Sequence, residues 1–265
     1  MIPSALDALE DILRESAGRR VALFFDYDGT LTPIVARPEL ARMAPEMRAA
    51  VEALARLCPV AIVSGRDRPD VEALVQVGDI FYAGSHGFDI AGPGGQHLQQ
   101  TEGEAFVPLL REAEATLREA LAPIPGTLVE SKRYAFAVHY RQVDPAHHAT
   151  VEEAVTRVAG RYPRLRVKGG KMVHEVLPRM DWDKGKAVNW LLKALKLEGP
   201  EVLPFYLGDD LTDEDAFAVL AGGRGIGILV AEAPQQTRAR FSLRDPPQVR
   251  TFCERFAAGL AGQAP

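Results

Sequence analysis

The stretch VALFFDYDGT, residues 21–30, places five apolar residues directly before two aspartates and a glycine. A short, continuous apolar run that ends in turn residues is typical of a buried strand in a parallel sheet. The acidic residues then lie at the carboxyl end of that strand, which is where open α/β sheets carry their functional crevice. The stretch therefore predicts both a fold class and the place of a site.

The chain around this stretch alternates further apolar runs with segments of helical periodicity. The runs PVAIVSG (59–65) and DIFYAGSHG (79–87) have the length and composition of strands, and helical spacing is found at 47–57 and 70–75. The same alternation returns after Pro178 and continues towards the end of the chain. We predict an α/β fold, with a Rossmann-like parallel sheet and helices on both faces.

The segment from 106 to 178 has a different pattern. Its apolar positions first mark one long helix, which PIPG (123–126) ends, and polar and apolar residues alternate in the short stretches that follow. Helices and hairpins in this order predict an α+β module that is inserted into the first domain. We therefore expect residues 1–105 and 179–265 to form the core domain and residues 106–178 to form the insertion.

Composition excludes several classes of protein. The 265 residues are 47% hydrophobic and 25% charged, with a net charge of −5, as expected for a globular protein rather than a disordered or fibrous chain. Without a basic surplus, nucleic acid is not an expected partner. The acidic N-terminus and the lack of a long apolar run predict no secretory signal and no membrane span, so we expect a cytoplasmic protein. Cys58 and Cys253 form no pattern typical of a disulfide framework or a metal site.

Asp26 and Asp28 are the first candidates for chemistry. If the strand stayed extended, its period of two would point both carboxylates in the same direction. Neighbouring carboxylates repel each other unless a cation lies between them, and Mg²⁺ prefers such oxygen ligands. A carboxylate can also be the nucleophile that accepts a phosphoryl group. An EF-hand calcium loop does not fit the spacing, because Leu31 and Arg37 fall on its glycine and terminal glutamate positions. A capped turn without a function stays open as the alternative.

A second acidic cluster follows the strand predicted at 201–210. It contains Asp209, Asp210 and Asp213 in the sequence GDDLTD. Helix capping would explain Asp213, which precedes a helical run, but it would not explain the other two aspartates. Since the carboxyl ends of parallel strands meet at one edge of a sheet, both acidic clusters are expected to converge on one crevice and to form a Mg²⁺ site there.

Two further residues fit the same crevice. Ser64 ends the second predicted strand and precedes Gly65 and Arg66, so its hydroxyl and free backbone N–H groups there are candidates for holding a phosphoryl oxygen. Lys184 stands at a predicted helix start, where a positive charge opposes the helix dipole, and this indicates a binding task. Each has an ordinary alternative: an unremarkable turn for the serine and a solvated side chain for the lysine.

The order of these elements resembles the haloacid dehalogenase-like phosphatases. In more detail, the sequence is similar to the trehalose-6-phosphate phosphatase family in seven motifs that are spread over nearly the whole chain: FDYDGTLTPI, VSGR, GSHG, AVHYR, GKMVHEVLP, WDKG and LGDDLTDEDAF. The resemblance implies a phosphoric monoester hydrolase of trehalose biosynthesis that needs Mg²⁺ and works through an aspartyl-phosphate intermediate.

The resemblance also implies a role for each core residue. Asp26 corresponds to the nucleophile, and Asp28 to the general acid that protonates the leaving sugar oxygen and then activates water. Ser64 and Lys184 correspond to the residues that hold the phosphoryl oxygens. The implied metal site contains Asp26, Asp28 through its backbone carbonyl, Asp209, Asp210 and Asp213, the last two ordering the metal shell.

The insertion would then be a cap that closes on the sugar. The substrate-binding residues that the resemblance implies are Arg66, Ser85, His86, Gly87, Glu130, Lys132, Lys171 and Glu175. Solvated strand polarity is the alternative for the last four. We expect a monomer whose partner is a small sugar phosphate. Two other functions remain open, namely a phosphatase for another glycosyl phosphate such as glucosylglycerol phosphate, and a catalytically silent phosphosugar-binding protein.

Overall fold

The structure is a computed structural model that describes residues 2–35, 37–95, 97–99, 101–170 and 172–263. Its strands are β1 (Arg20–Phe25), β2 (Val60–Val63), β3 (Phe81–Gly84), β4 (Asp89–Ala91), β5 (His97–Gln99), β6 (Leu128–Ser131), β7 (Phe136–His139), β8 (Leu165–Gly170), β9 (Val173–Pro178), β10 (Val202–Gly208), β11 (Ile226–Val230) and β12 (Phe241–Leu243). Its helices are α1 (Leu9–Ser16), α2 (Pro45–Ala55), α3 (Arg68–Val75), α4 (Thr101–Glu104), α5 (Val107–Leu121), α6 (His148–Gly160), α7 (Lys184–Ala194), α8 (Glu214–Leu220) and α9 (Pro246–Ala261).

The first of two compact units contains Met1–Leu98 and Trp182–Pro265. Its strands belong to a sheet with the order β12-β11-β10-β1-β2-β3-β4-β5, which is parallel from β12 to β3 and turns antiparallel at β4. One apolar cluster joins one face of this sheet to α1, α2, α3 and α9, and a second joins the other face to α7 and α8. The predicted α/β fold with helices on both faces is therefore confirmed.

The second unit, Gln99–Asp181, has an α+β architecture of its own. A sheet with the strand order β6-β7-β9-β8 is antiparallel throughout, and its apolar face packs against α5 and α6. The boundaries predicted from the sequence, 106 and 178, lie a few residues inside this unit. The role of the unit as a specificity cap stays a prediction.

The third predicted strand, 79–87, is shorter in the structure. It ends at Gly84, and Ser85, His86 and Gly87 all have positive φ angles of 50°, 57° and 96°. Left-handed backbone turns the chain sharply, whereas an extended strand would carry it onward. The turn brings the His86 N–H to the Ser64 carbonyl at 2.8 Å, so the loop after β3 folds back over the end of β2.

No helix in the described part of the chain is both long enough and apolar enough to cross a lipid bilayer.

Candidate active site

The alternation of side chains along β1 decides where Asp26 points. Leu23 and Phe25 belong to the core under α1, α2 and α9, whereas Ala22 and Phe24 belong to the core under α7 and α8. Successive side chains of a strand face opposite sides, so the residue after Phe25 faces α7 and α8. The Asp26 side chain is accordingly only 8% exposed, and its Oδ1 accepts from Lys184 at the start of α7.

Lys184 is the first residue of α7 and is buried, contrary to the solvated alternative. Asp183 caps the helix by accepting the Lys186 N–H at 2.8 Å. The Lys184 Nζ then donates to Asp26 Oδ1 and to Asp213 Oδ1, both at 2.7 Å. Although burial would lower the pKa of Lys184, the charges of Asp26 and Asp213 raise it above its ordinary value, so the ammonium stays charged.

Asp213 precedes α8, yet its side chain does not cap that helix. Its Oδ2 accepts the backbone N–H groups of Asp209 and Asp210, each at 3.0 Å, and its Oδ1 accepts the Tyr206 hydroxyl at 2.6 Å together with Lys184. The capping explanation of Asp213 is therefore wrong, because these loop groups and the lysine occupy both carboxylate oxygens. The aspartate instead fixes the loop after β10.

Tyr206 is a site residue that the sequence analysis missed. It lies in β10, is fully buried, and packs edge-on against Phe217 while its hydroxyl reaches Asp213. In the sequence, Tyr206 lies within a largely apolar run and is not distinguished from its neighbours in the strand. Its position two residues before Gly208, on the face that also carries Asp26, was the only available signal.

Asp26, Asp209 and Asp213 form a group in which one oxygen of each lies within 4.8 Å of the others. In the described part of the chain, the cation that contacts this group is the Lys184 ammonium, so three carboxylates face one positive charge. Burial, followed by repulsion from Asp213 and Asp210, raises the pKa of Asp209 to about 7. Burial likewise raises the pKa of Asp26, against the opposing charge of Lys184. An all-oxygen donor set with surplus negative charge fits a hard divalent cation such as Mg²⁺.

Gly29 makes room for this group. A Cβ atom built there would lie 2.0 Å from Asp209 Oδ2, and the residue has a φ angle of +83°. Both the close approach and the backbone conformation exclude other residue types. The glycine in Asp-Tyr-Asp-Gly therefore lets the second acidic cluster reach the first.

Asp210 does not belong to the group of three within the described residues. Its Oδ1 accepts the Thr212 N–H at 2.7 Å and the Thr212 hydroxyl at 2.6 Å. Burial alone would raise the pKa of Asp210, but the charge of Lys184 and these hydrogen bonds lower it. The residue orders the loop around the group, and a direct contact to a metal stays a prediction.

Asp28 has a different partner from Asp26 and lies where the chain begins to turn after β1. The Leu31 N–H donates to the Tyr27 carbonyl at 2.9 Å and the Gly29 N–H to the Thr32 carbonyl at 2.8 Å, which closes a turn. The Asp28 side chain is 41% exposed and forms an ion pair with Arg66. The extended strand, on which a shared direction of the two carboxylates depended, thus ends at Phe25, before either aspartate.

The residues at the ends of β2 and β3 form one hydrogen-bonded cluster. Ser64 is buried; its N–H donates to the Ala83 carbonyl at 2.9 Å, so this N–H is not free as the sequence analysis expected. The His86 ring packs against Gly65, where a Cβ atom would lie 2.8 Å from the ring, and the Trp182 Nε1 donates to the His86 carbonyl at 3.0 Å. The structure thus brings Ser64, His86 and their neighbours together beside β1.

The predicted residues of the second unit share one face of its sheet. Glu130 and Glu175 flank Ala137 on neighbouring strands, opposite the face that packs on the helices. Lys132 Nζ lies 2.8 Å from Glu175 Oε1, and His139 Nε2 lies 2.7 Å from Glu130 Oε2. This face therefore offers charged donors and acceptors around a small residue. Lys171, also predicted to bind substrate, lies outside the described residues.

Comparison with known proteins identifies the family. The trehalose-phosphatase family profile matches residues 24–247, which include Asp26, Asp28, Ser64, Lys184 and the acidic cluster at 209–213. The chain belongs to the trehalose-phosphatase family. It is similar to the probable trehalose-phosphate phosphatase 2 of Oryza sativa subsp. japonica, with 46% identity over 97% of this chain and 73% of the rice protein.

Solved structures agree with this membership of the family. The C-terminal domain of the C. albicans trehalose-6-phosphate phosphatase has a TM-score of 0.76 and 25% identity, covering 97% of this chain and 98% of that domain. A haloacid dehalogenase-like hydrolase from Bacteroides thetaiotaomicron has a TM-score of 0.64 at 15% identity over 89% of this chain and 99% of its own, which concerns the fold alone. The resemblance stated from the motifs is confirmed.

Proposed function

We propose that this protein is a Mg²⁺-dependent phosphatase that hydrolyses trehalose 6-phosphate to trehalose and phosphate. The observation that carries the proposal is the buried pair of Asp26 and Lys184, 2.7 Å apart, at the carboxyl end of the interior strand β1 in a chain of the trehalose-phosphatase family. A buried carboxylate beside a fixed cation suits an attack on a phosphorus atom, because the cation offsets the charge that grows on the phosphoryl oxygens.

In the first half of the reaction, the Asp26 carboxylate forms a bond to phosphorus as the bond from phosphorus to the sugar oxygen breaks. We assign the attack to Oδ2, since Oδ1 accepts from Lys184. Asp28 gives its proton to the departing sugar oxygen, so trehalose leaves as a neutral alcohol. The product on the protein is an aspartyl phosphate at Asp26.

In the second half, Asp28 takes a proton from a water molecule whose oxygen attacks the same phosphorus. The Asp26 carboxylate departs and phosphate is released, which restores the starting state of both aspartates. Lys184 and the Ser64 hydroxyl hold phosphoryl oxygens in both steps. When bound, Mg²⁺ held by Asp26 and Asp209 supplies further positive charge next to these oxygens, while Asp210 and Asp213 order the surrounding loop.

The second unit supplies the contacts to the sugar in this proposal. Glu130, Lys132 and Glu175 present acceptors and donors on one face, which is the chemistry that a ring of sugar hydroxyls needs. The residues of the first unit that were also predicted to bind substrate are Arg66, Ser85, His86 and Gly87.

Phosphate release from a panel of sugar phosphates tests the proposal. The panel contains trehalose 6-phosphate, glucosylglycerol phosphate and glucose 6-phosphate, each with Mg²⁺ and with excess chelator. We expect the highest kcat/KM for trehalose 6-phosphate with Mg²⁺, and no phosphate release from any of these compounds in excess chelator. A higher kcat/KM for another glycosyl phosphate would identify that compound as the substrate and leave the proposed phosphatase mechanism unchanged. Binding of trehalose 6-phosphate without phosphate release would instead identify a silent binding protein.

A further inference from the structure

Arg66 holds both carboxylate oxygens of Asp28. Its Nε lies 2.7 Å from Asp28 Oδ2 and its Nη2 lies 2.7 Å from Asp28 Oδ1, which is a two-pronged, charge-assisted contact. The remaining Nη1 donates to Asp70 Oδ2 at 3.0 Å, and the guanidinium lies over the Tyr27 ring, 5.6 Å from its centroid. All three nitrogens of the planar guanidinium group are thus held by carboxylates, and one of its faces lies over the Tyr27 ring. The Arg66 side chain is only 12% exposed.

The backbone of Arg66 is fixed as well. Its N–H donates to the Ser64 hydroxyl at 3.1 Å, and its carbonyl accepts the Ser85 N–H at 2.6 Å. Ser85 also donates its hydroxyl to Asp67 Oδ1 at 2.7 Å. The left-handed turn after β3, which costs strain at a residue other than glycine, is therefore used to hold the chain at Arg66.

We propose that Arg66 is a positioning residue that orients the Asp28 carboxyl for proton transfer, rather than a residue that binds substrate. This inference rests on the proposed function, in which Asp28 protonates the leaving oxygen. A carboxylate has about four acceptor positions, so the two that Arg66 takes leave one on each oxygen for the proton in transit. Asp28 is half-exposed on a turn beyond the end of β1, and among the described residues it is Arg66 that contacts its carboxyl group and fixes the plane of that group.

The proposal predicts a dependence on the leaving group. Protonation matters when the departing oxygen is a strong base, as in a sugar or in phenol, and matters little for p-nitrophenolate, which leaves as a stable anion. The quantity kcat/KM covers only the steps up to departure of the leaving group, so it excludes the later work of Asp28 on water. Phenyl phosphate and p-nitrophenyl phosphate have similar shapes, which makes their comparison independent of sugar recognition.

The experiment measures kcat/KM of both aryl phosphates, with Mg²⁺, for the wild type, Arg66→Gln and Arg66→Lys. We expect a loss of about 10- to 100-fold for phenyl phosphate and of less than about threefold for p-nitrophenyl phosphate, within the usual range of general acid catalysis. Arg66→Lys keeps a cation beside Tyr27 and Asp70 but cannot hold both oxygens, so it carries the same test if Arg66→Gln does not fold. Equal losses on both substrates in the folded variants would overturn the proposal and return Arg66 to substrate binding.

Two controls separate positioning from a structural effect. Arg68→Gln removes a neighbouring arginine of nearly equal exposure, 13%, which pairs with Glu72 and Asp89 instead of Asp28, so the ratio between the two substrates should stay at the wild-type value. In Asp28→Asn protein, Arg66→Gln should cost less than about twofold further on phenyl phosphate, because residues that act through one another are not additive. Fully additive losses would contradict the proposal.

The same measurements distinguish failure of this inference from failure of the proposed function. If the wild type released no phosphate from trehalose 6-phosphate or either aryl phosphate with Mg²⁺, the proposed function would fail before any variant was compared. If the wild type is active and the Arg66 variants lose both aryl substrates equally, only the positioning role fails.

Discussion

The carboxylate of Asp26 and the ammonium of Lys184 lie 2.7 Å apart although 158 positions separate them in the chain. Both are nearly inaccessible, at 8% and 3% exposure, and Asp213 completes the arrangement at 2.7 Å from the same nitrogen. A buried cation between two buried carboxylates is costly to assemble unless each charge has its partner. Any change that removes or neutralises one of these three charges is therefore expected to alter activity or stability.

Replacing the proposed nucleophile tests the covalent step. Asp26→Asn keeps the shape of the side chain but removes its charge and most of its nucleophilicity, so we expect phosphatase activity to fall by at least about 10³. Folding should change little, since Lys184 keeps Asp213 as its partner. Asp11→Asn, on the exposed face of α1, is the matched control and should be fully active. Activity of Asp26→Asn within tenfold of the wild type would exclude the aspartyl-phosphate mechanism.

Removal of Lys184 should be felt in stability as well as in activity. Lys184→Met leaves Asp26 and Asp213 buried without their cation, a change that typically costs about 3–5 kcal/mol. We expect the Tm in chelator to drop, and added Mg²⁺ to recover more of it than in the wild type, because the ion supplies the missing positive charge. Thermal unfolding followed by circular dichroism measures both effects. A Tm that is unchanged in chelator would mean that the ion pair contributes nothing to the fold.

Metal dependence follows from the surplus of carboxylates. We expect chelation to abolish turnover of trehalose 6-phosphate and added Mg²⁺ to restore it. Ca²⁺ should inhibit, since its larger and looser coordination would misplace the attacking Asp26 carboxylate. The measurement is steady-state phosphate release in titrations of each ion. Full activity in excess chelator would refute the metal site.

The raised pKa of Asp209 predicts a particular pH dependence of stability without metal. The folded protein binds a proton at Asp209 up to about pH 7, whereas the unfolded chain releases it near the ordinary value of 3.8. The folded state therefore holds more protons between these values, and its stability falls as the pH rises through that window. In chelator, the wild type should lose more Tm than Asp209→Asn between about pH 5 and about pH 7.5.

The control for this test is the same pair of Tm measurements in the presence of Mg²⁺. The ion competes with the proton at Asp209, so its presence should lessen the difference in pH dependence between the wild type and Asp209→Asn. Its apparent affinity should also rise with pH up to about 7 and then level off. An identical pH dependence of the two proteins in chelator would show that Asp209 titrates as in the unfolded chain.

Sugar recognition is tested in the second unit. Glu175→Ala removes one acceptor and the partner of Lys132, so we expect kcat/KM for trehalose 6-phosphate to fall about ten- to a hundredfold. Turnover of p-nitrophenyl phosphate, which has no sugar hydroxyls, should change by less than about twofold. Glu152→Ala, on the exposed side of α6, is the control and should affect neither substrate. An equal loss on both substrates would make Glu175 a structural residue.

The features that the sequence determined by itself are those set by neighbouring residues or by a repeating pattern of apolar positions. The apolar run of β1, closed by acidic residues and a glycine, is sufficient to predict a buried strand and the edge at which the site lies, since strand pattern and turn chemistry are properties of neighbouring residues. The second cluster at Asp209 was predicted for the same reason. The division into an α/β unit and an α+β unit followed from the change in periodicity between 106 and 178.

Tertiary structure decided which of these residues contact one another. The sequence left a solvated side chain open as the alternative for Lys184, and only the packing of α7 on the face of the sheet that carries Asp26 decided against it. Tyr206, whose hydroxyl reaches Asp213, was one more residue of a strand in the sequence. The chain turns after β1 instead of staying extended, and Asp28 pairs with Arg66 whereas Asp26 pairs with Lys184. Sequence pattern fixes the faces of individual elements, but contacts between side chains distant in the chain depend on how those elements pack, and no local rule contains that information.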